Sequence, residues 1–456
     1  MRGTGAQTPG EGLRAIALID GEHYPDVTAA ALSYLEDDLG YRLAAIAFLG
    51  GTEKTADPAG FDYRGVTVYW GDSQVEVLRR AIDETAPEVV LDLSDEPVLG
   101  YRERFRLVSE SLARGVSYLG ADFRFDAPAR PFLCDKPSIA VIGTGKRVGK
   151  TALSGFAARR LLETGSRPCV CTMGRGGPAD PELLAAPSEV TDSYLRARAL
   201  EGRHAASDHF EDAMMGGVVT VGCRRCGGGM AGVPFYSNVS AGALLACAQD
   251  ADVVIFEGSG AAIPPVGSDA TMLVASSMQP IEYVLGYLGP YRLLLSDLLV
   301  VTMCEEILVS SEKLRKLIDG VCAINPEVKV VKTVFRPRPL GELRERKTFL
   351  TSTAAGPAIE RQAEYLVEEY GARLVGSSGN LADRKRLASD LAGAGEAEVL
   401  VTELKAAGVD TVSLFAQENG KELVYLENLP IAIDGDSIER EIDRLEAVAR
   451  ERAAGR

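Results

Sequence analysis

Two patterns of apolar and polar positions alternate along the chain. Short continuous apolar runs, of the kind found in strands covered on both faces, occur at 13–20 (LRAIALID), 42–50, 65–71 and 88–95. Between them, PDVTAAALSYLEDDL and the stretches near 73–85 and 102–114 have helical periodicity, with Pro25 suited to a first turn. GVSYLGADFRFD (115–126) ends this series, and the proline-bearing 127–132 reads as a linker. A second series opens with PSIAVIGTG and runs through 168–174, 252–260, 298–303 and 328–335. A third begins near 340. It carries KTFLTST, a helix at 357–370, ARLVGSSGN, a helix at 382–393, EVLVTEL, TVSLFAQEN and KELVYLENL. A charged helix at 437–452 closes it, with Ile438, Ile442, Leu445 and Val448 on one stripe, which predicts docking on a surface. The pattern predicts an α/β protein in three parts. These are a Rossmann-like domain over 1–130, a central domain with a mainly parallel sheet over 136–339, and a smaller α/β region over 340–456.

Composition narrows the function. The 456 residues carry 49 Lys+Arg against 65 Asp+Glu, a net charge of −16. That balance argues against nucleic-acid binding, and any polyanionic ligand must be met by a local basic cluster. The sequence has no run of 18 apolar residues, so no membrane span is predicted. The start, MRGTGAQTPGEG, is polar and glycine-rich with no apolar signal core, and reads as a disordered tip. Eight cysteines without a signal segment predict reduced thiols in the cytoplasm.

The candidate chemistry centres on VIGTGKRVGKTALSG (141–155). The usual phosphate loop, G-x-x-x-x-G-K-[ST], would place a glycine at 144, but Thr144 stands there and the glycines are Gly143 and Gly145. Five residues separate Gly143 from Gly149, so the loop is longer by one. Its context still suits phosphate. An apolar strand runs into glycines and then into a helix with Ala152, Leu153, Phe156, Leu161 and Leu162 at apolar positions. Backbone N–H groups and the helix dipole face an anion there. The predicted nucleotide-binding residues are Gly143, Thr144, Gly145, Lys146, Arg147, Val148, Gly149, Lys150 and Thr151. Lys150 can reach the β- and γ-phosphates, and the Thr151 hydroxyl can sit on Mg²⁺.

The GTGKRVGKT loop resembles that of dethiobiotin synthetase and of the signal-recognition and partition ATPases, a P-loop NTPase class with a mainly parallel sheet. VVIFEGSGAAIPP (253–265) resembles the acidic strand end of that group, which would make Glu257 a holder of Mg²⁺. CTMGRGGP (171–178), GCRRCGGGMAGVPFYSNV (222–239) and the extra N-terminal domain resemble the cyclic 2,3-diphosphoglycerate synthetase family over essentially the whole chain. The resemblance implies an ATP-dependent ligase that closes 2,3-bisphosphoglycerate into an intramolecular phosphoanhydride, releasing ADP and phosphate. It implies ATP and Mg²⁺ as cofactors, a cytoplasmic enzyme and a homodimer. Lys146, Arg147, Lys150, Arg175, Arg224 and Arg225 all fall in glycine-rich stretches read as loops. Lys150, Lys146, Arg175, Arg224 and Arg225 would neutralise the reacting phosphates, arginine being suited to bidentate contact. Two alternatives stay open. One is another ligase or kinase of the dethiobiotin synthetase type. The other is a nucleotide switch that binds a protein partner.

Three further groups stand out. Cys223 and Cys226 could join Cys169 and Cys171 around Zn²⁺, though packing of small residues is the simpler reading. Asp20, Glu22, His23 and Lys54 lie after strands, where α/β sheets bind ligands, but turn chemistry also accounts for them. Arg336 and Arg338, in FRPRP (335–339), could meet nucleotide or form a domain-linking turn.

Overall fold

A computed structural model describes residues 10, 12–51, 53–54, 60–354, 356–405 and 407–456. Most of the polar start lies outside the described residues, as does part of the 48–55 segment. The chain divides into two compact units. One is Met1–Ala129 with Pro280–Leu295 and Gly320–Pro326; the other is Arg130–Gln279 with Ser296–Asp319 and Glu327–Arg456.

The first unit is built on a six-stranded sheet of β1 (Arg14–Ile19), β2 (Arg42–Phe48), β3 (Val68–Tyr69), β4 (Val89–Asp92), β5 (Ser117–Leu119) and β6 (Arg124–Phe125), in the order β3-β2-β1-β4-β5-β6. All pairs are parallel except β5 with β6. Five of the six β1 residues are buried, which is why its apolar run shows no alternation. The run 65–71 forms a strand only at Val68–Tyr69. At the carboxyl end of β1, buried Asp20 accepts hydrogen bonds from Glu22 N (3.0 Å) and Asp95 N (2.6 Å), and His23 Nδ1 lies 2.8 Å from it. Lys54 pairs with Glu53. These contacts tie turns together, so Asp20 and Lys54 are engaged locally.

The second unit carries β7 (Ser138–Gly143), β8 (Pro168–Gly174), β9 (Glu182–Leu184), β10 (Val219–Cys226), β11 (Tyr236–Ser237), β12 (Val253–Glu257), β13 (Ala270–Ser276), β14 (Leu298–Thr302), β15 (Lys329–Pro339), β16 (Lys347–Thr351), β17 (Arg373–Ser378), β18 (Val399–Glu403) and β19 (Glu422–Ala432). They form one sheet in the order β11-β10-β8-β12-β7-β13-β14-β15-β19-β18-β16-β17, with β9 also on β10. The pairs from β10 through β8, β12, β7, β13 and β14 to β15 are parallel, as a nucleotide-binding α/β domain requires. β15 pairs with β14 along Lys329–Lys332 and then antiparallel with β19 along Thr333–Pro339.

The third block continues the sheet of the second through β15, so the expected boundary at 339/340 falls at the end of that strand and not between separate sheets. FRPRP is the end of that strand, not a turn after it. Arg224 and Arg225 also move: they lie on β10, not in a loop. The polar, glycine-rich end of VTVGCRRC hid a strand whose carboxyl end lies at the site. The closing helix Ile438–Ala454 buries Ile438, Ile442, Leu445 and Ala449 in the core that holds Val141, Leu153 and Met272. Its Asp443 accepts two hydrogen bonds from Arg160 of helix Lys150–Glu163, at 2.9 and 2.7 Å.

The expectation of eight reduced thiols is corrected at one pair, since Cys134 is bonded to Cys247. Their Cα atoms are 5.7 Å apart, inside the range that a disulfide spans. A sequence separation of 113 hid the pairing. Alkylation of the unfolded, unreduced chain should therefore label the six other cysteines, and reduction should raise the mass-spectrometric count to eight. Eight labels before reduction would show that the bond does not form.

Candidate active site

Between β7 and helix Lys150–Glu163 the loop is held at several points. Thr144 N donates to Val274 O (3.1 Å), and Thr144 Oγ1 donates to Gln279 Oε1 (2.6 Å). Thr302 Oγ1 donates to the carbonyl of Val148, whose side chain is buried in the core. Gly149 caps the helix at φ 99°, and a Cβ there would lie 2.4 Å from the Phe335 ring. Only glycine meets both conditions, which explains its place before the lysine.

Lys150 is 7% exposed and folds over its own loop, Nζ donating to Gly145 O at 2.9 Å. Burial lowers its pKa to about 8, against the pull of Glu257. Thr151 Oγ1 donates to Glu257 Oε1 at 2.8 Å. Glu257 stands at the end of β12, 1% exposed, and burial raises its pKa to about 8. No donor among the described residues reaches its Oε2. Asp212 is equally buried, with both carboxylate oxygens lacking a donor, and burial followed by the Glu257 charge pushes its pKa well up. Two carboxylates with orphaned oxygens beside a threonine hydroxyl fit Mg²⁺ chemistry. Among the described residues no three Asp, Glu, His or Cys side chains form a ready cage. Such an ion would lean on phosphate oxygens and water, as Mg²⁺ usually does.

Lys150, Thr151 and Glu257 open on a cavity of about 1000 Å³. One wall is the loop Lys146–Thr151 with Arg175, Asp208 and Glu257; the other comes from the C-terminal region and includes Gln362, Arg384 and Lys405. Arg175 and Arg225 converge on Gly260, where a Cβ would lie 2.4 Å from Arg175 Nη2 and 3.2 Å from Arg225 Nη2. Arg225 Nη2 donates to Ser259 O (2.7 Å) and Nη1 to Gly227 O (2.6 Å), while its buried Nε has no acceptor. Burial and then the Arg175 charge lower the Arg225 pKa. Among the described residues no carboxylate pairs with either guanidinium.

Adjacent residues of a strand point to opposite faces, so Arg224 does not join this pair. Its Nε donates to the carbonyls of Gly177 (3.0 Å) and Pro178 (2.6 Å), fixing the loop that carries Arg175. Of the predicted cations, Lys146, Arg147, Lys150 and Arg175 line the cavity, and Arg225 stands beside Arg175. Arg336 also lines the cavity and pairs with Glu305 (2.9 Å), whereas Arg338 pairs with buried Glu427. Cys171 and Cys223 lie 3.8 Å apart in an apolar cluster and Cys226 is exposed, an arrangement of packing.

Sequence reading passed over Asp208, Asp212, Gln362 and Lys405. Asp208 and Asp212 belong to SDHFEDAMM (207–215), where the close-set acids were the available signal. Lys405 follows strand β18 and pairs with Glu211 across the cavity at 2.6 Å.

Family profiles match three consecutive stretches: the N-terminal domain of cyclic 2,3-diphosphoglycerate synthetase at 14–126, its P-loop domain at 138–334 and its C-terminal domain at 339–429. The chain belongs to the cyclic 2,3-diphosphoglycerate synthetase family. Relatives of that name occur in Rubrobacter xylanophilus, at 49% identity over 93% of this chain and 96% of that protein, and in Thermococcus gammatolerans, at 48% over 94% and 96%. Among solved structures, LpxK from Aquifex aeolicus in complex with ATP is similar at 14% identity with a TM-score of 0.36, covering 68% of this chain and 88% of that one. Among the described residues no helix is long and apolar enough to cross a membrane.

The buried Glu257 gives this synthetase-family site a pH signature. With a folded pKa near 8 against an ordinary 4.5, the folded state keeps a proton that the unfolded state loses. Glu257 therefore costs stability increasingly as pH rises from about 4.5 to about 8. Glu257→Gln should flatten that part of the curve in ligand-free, metal-free protein, measured as Tm by calorimetry. An unchanged slope would mean that another group carries it.

Proposed function

We propose that this chain is the ATP-dependent ligase that converts 2,3-bisphosphoglycerate into cyclic 2,3-diphosphoglycerate. The observation that carries the reading is the Arg175–Arg225 pair. Two guanidiniums without a carboxylate sit beside Glu257 and the phosphate loop, in a chain of net charge −16. Like charges held together at that cost call for an anion between them. The relatives' shared name supplies the identity of that anion.

The ATP triphosphate lies along Gly143–Thr151, its charge met by the helix N-terminus, Lys146 and Lys150. Thr151 and Glu257 would hold Mg²⁺, which when bound would neutralise the phosphate oxygens. The γ-phosphoryl group passes to one substrate phosphate, and ADP leaves. An oxygen of the other phosphate then attacks the phosphorus attached to the carbon skeleton. The new P–O–P bond closes the ring as the bond to the added phosphoryl group breaks and inorganic phosphate departs. Arg175 and Arg225 hold the substrate phosphates at attacking distance, and Arg224 positions the Arg175 loop. Lys150 releases its contact with Gly145 O and turns to the transferring group. The enzyme works in the cytoplasm as a homodimer, as the family resemblance implies.

³¹P NMR of the protein with ATP, Mg²⁺ and 2,3-bisphosphoglycerate should show a cyclic phosphoanhydride accumulating with ADP and phosphate. ADP forming without it would sink the assignment. Lys150→Ala, folded, should slow that turnover by at least ~10³-fold, the scale of a lost charge contact in the transition state.

Titration of folded variants separates the arginines. Arg175→Gln or Arg225→Gln should weaken bisphosphoglycerate by roughly 2–4 kcal/mol and change ATP little. Equal loss of both ligands would assign the pair to ATP or to the fold.

A further inference from the structure

The end of the cavity at Phe335 has a different chemistry. Phe335, Ile307 and Leu308 line it, as do Glu305 and Gln362 from two different elements. Glu305 follows β14; its Oε1 accepts from Arg336 Nη1 at 2.9 Å, and its Oε2 is buried with no donor among the described residues. Gln362 lies on helix Pro357–Tyr370. Its Nε2 donates to Asn428 Oδ1 at 3.2 Å, which leaves Oε1 as the remaining polar atom, also buried and without a donor. Each neighbour thus fixes which oxygen is left over.

Buried acceptors without donors cost stability unless something donates to them. The matching group is an exocyclic amine with two N–H bonds, carried by a flat apolar ring. The Phe335 ring crowds Gly149 of the phosphate loop, so a ring at this end and a triphosphate on the loop fall within one molecule. We infer that Glu305 and Gln362 form a base-reading pair that accepts the 6-amino group of adenine. This places the C-terminal region in nucleotide selection, and it rests on the ATP reading of the cavity. A purine with an oxygen at position 6 would set that oxygen against a carboxylate and an amide carbonyl.

The test is isothermal titration of ATP and ITP, which share ribose and triphosphate, with wild type, Gln362→Leu and Glu305→Gln. Circular dichroism and Tm establish that each variant is folded. Wild type should bind ATP at least about 10-fold more tightly than ITP, the scale of one lost hydrogen bond with a buried acceptor left unmet. Both variants should narrow that ratio to within about 3-fold, mainly by weakening ATP. Wild type binding both nucleotides equally would overturn the base-reading pair and leave the phosphate-loop reading intact. So would variants that lose ATP and ITP in equal proportion or keep the wild-type ratio. Failure of wild type to bind either triphosphate would remove the nucleotide reading itself, and this inference with it.

Discussion

One strand holds the halves of the candidate site in register. β15 is eleven residues long, buried along much of its length, and paired by its first part to β14 and by its second to β19. A parallel neighbour on one side and an antiparallel one on the other join two parallel sets into a single sheet. The set around β7 ends at the phosphate loop, and the set around β18 ends at Glu403 and Lys405. The same strand contributes Phe335 and Arg336 to the cavity wall. The cavity is therefore a consequence of sheet geometry: carboxyl ends of strands from two subsheets face one space, with β15 between them.

Burial does the electrostatic preparation inside that space. Lys150 and Glu257 are both nearly inaccessible, and desolvation moves their pKa values toward each other, the lysine down and the carboxyl up. Each is less costly to hold once an opposite charge arrives, which in the proposed reaction is a phosphate for Lys150 and a metal ion for Glu257. The Arg175–Arg225 pair carries the same logic further, because guanidiniums do not shed their protons near neutral pH. Their mutual repulsion can be relieved only by a bound anion or by movement. A site arranged this way is stabilised by its ligands more than by its own contacts.

Much of this was legible in the chain's pattern, and the failures have common causes. The runs that became β7, β8, β12 and β14 are largely apolar and buried throughout because both faces are covered, so their positions could be read almost to the residue. The helix at 357–370 was equally plain, set off by Pro357 and Gly371. β10 was hidden because its end is Cys-Arg-Arg-Cys followed by glycines, a composition that reads as loop wherever polar chemistry is placed on a strand end. FRPRP reads as a linker, yet it is strand, with its prolines where β15 pairs with a single neighbour along Thr333–Pro339. The Cys134–Cys247 bond and the Glu211–Lys405 pair join residues far apart in sequence, and no local pattern encodes such contacts.

The adjacent arginines show where motif and geometry part. In the sequence Arg224 and Arg225 are one basic doublet, but on a strand they face opposite ways and do different work. Arg225 turns toward Ser259 and Arg175, while Arg224 spends its Nε on two loop carbonyls. The doublet thus links the anion-facing charge to the support of the neighbouring loop through a single backbone step. A shift of β10 by one residue would turn each arginine to the opposite face and remove both sets of contacts. Antiparallel pairing with β11 and parallel pairing with β8 hold that register, so the edge of the sheet farthest from β15 fixes the geometry of the arginine pair.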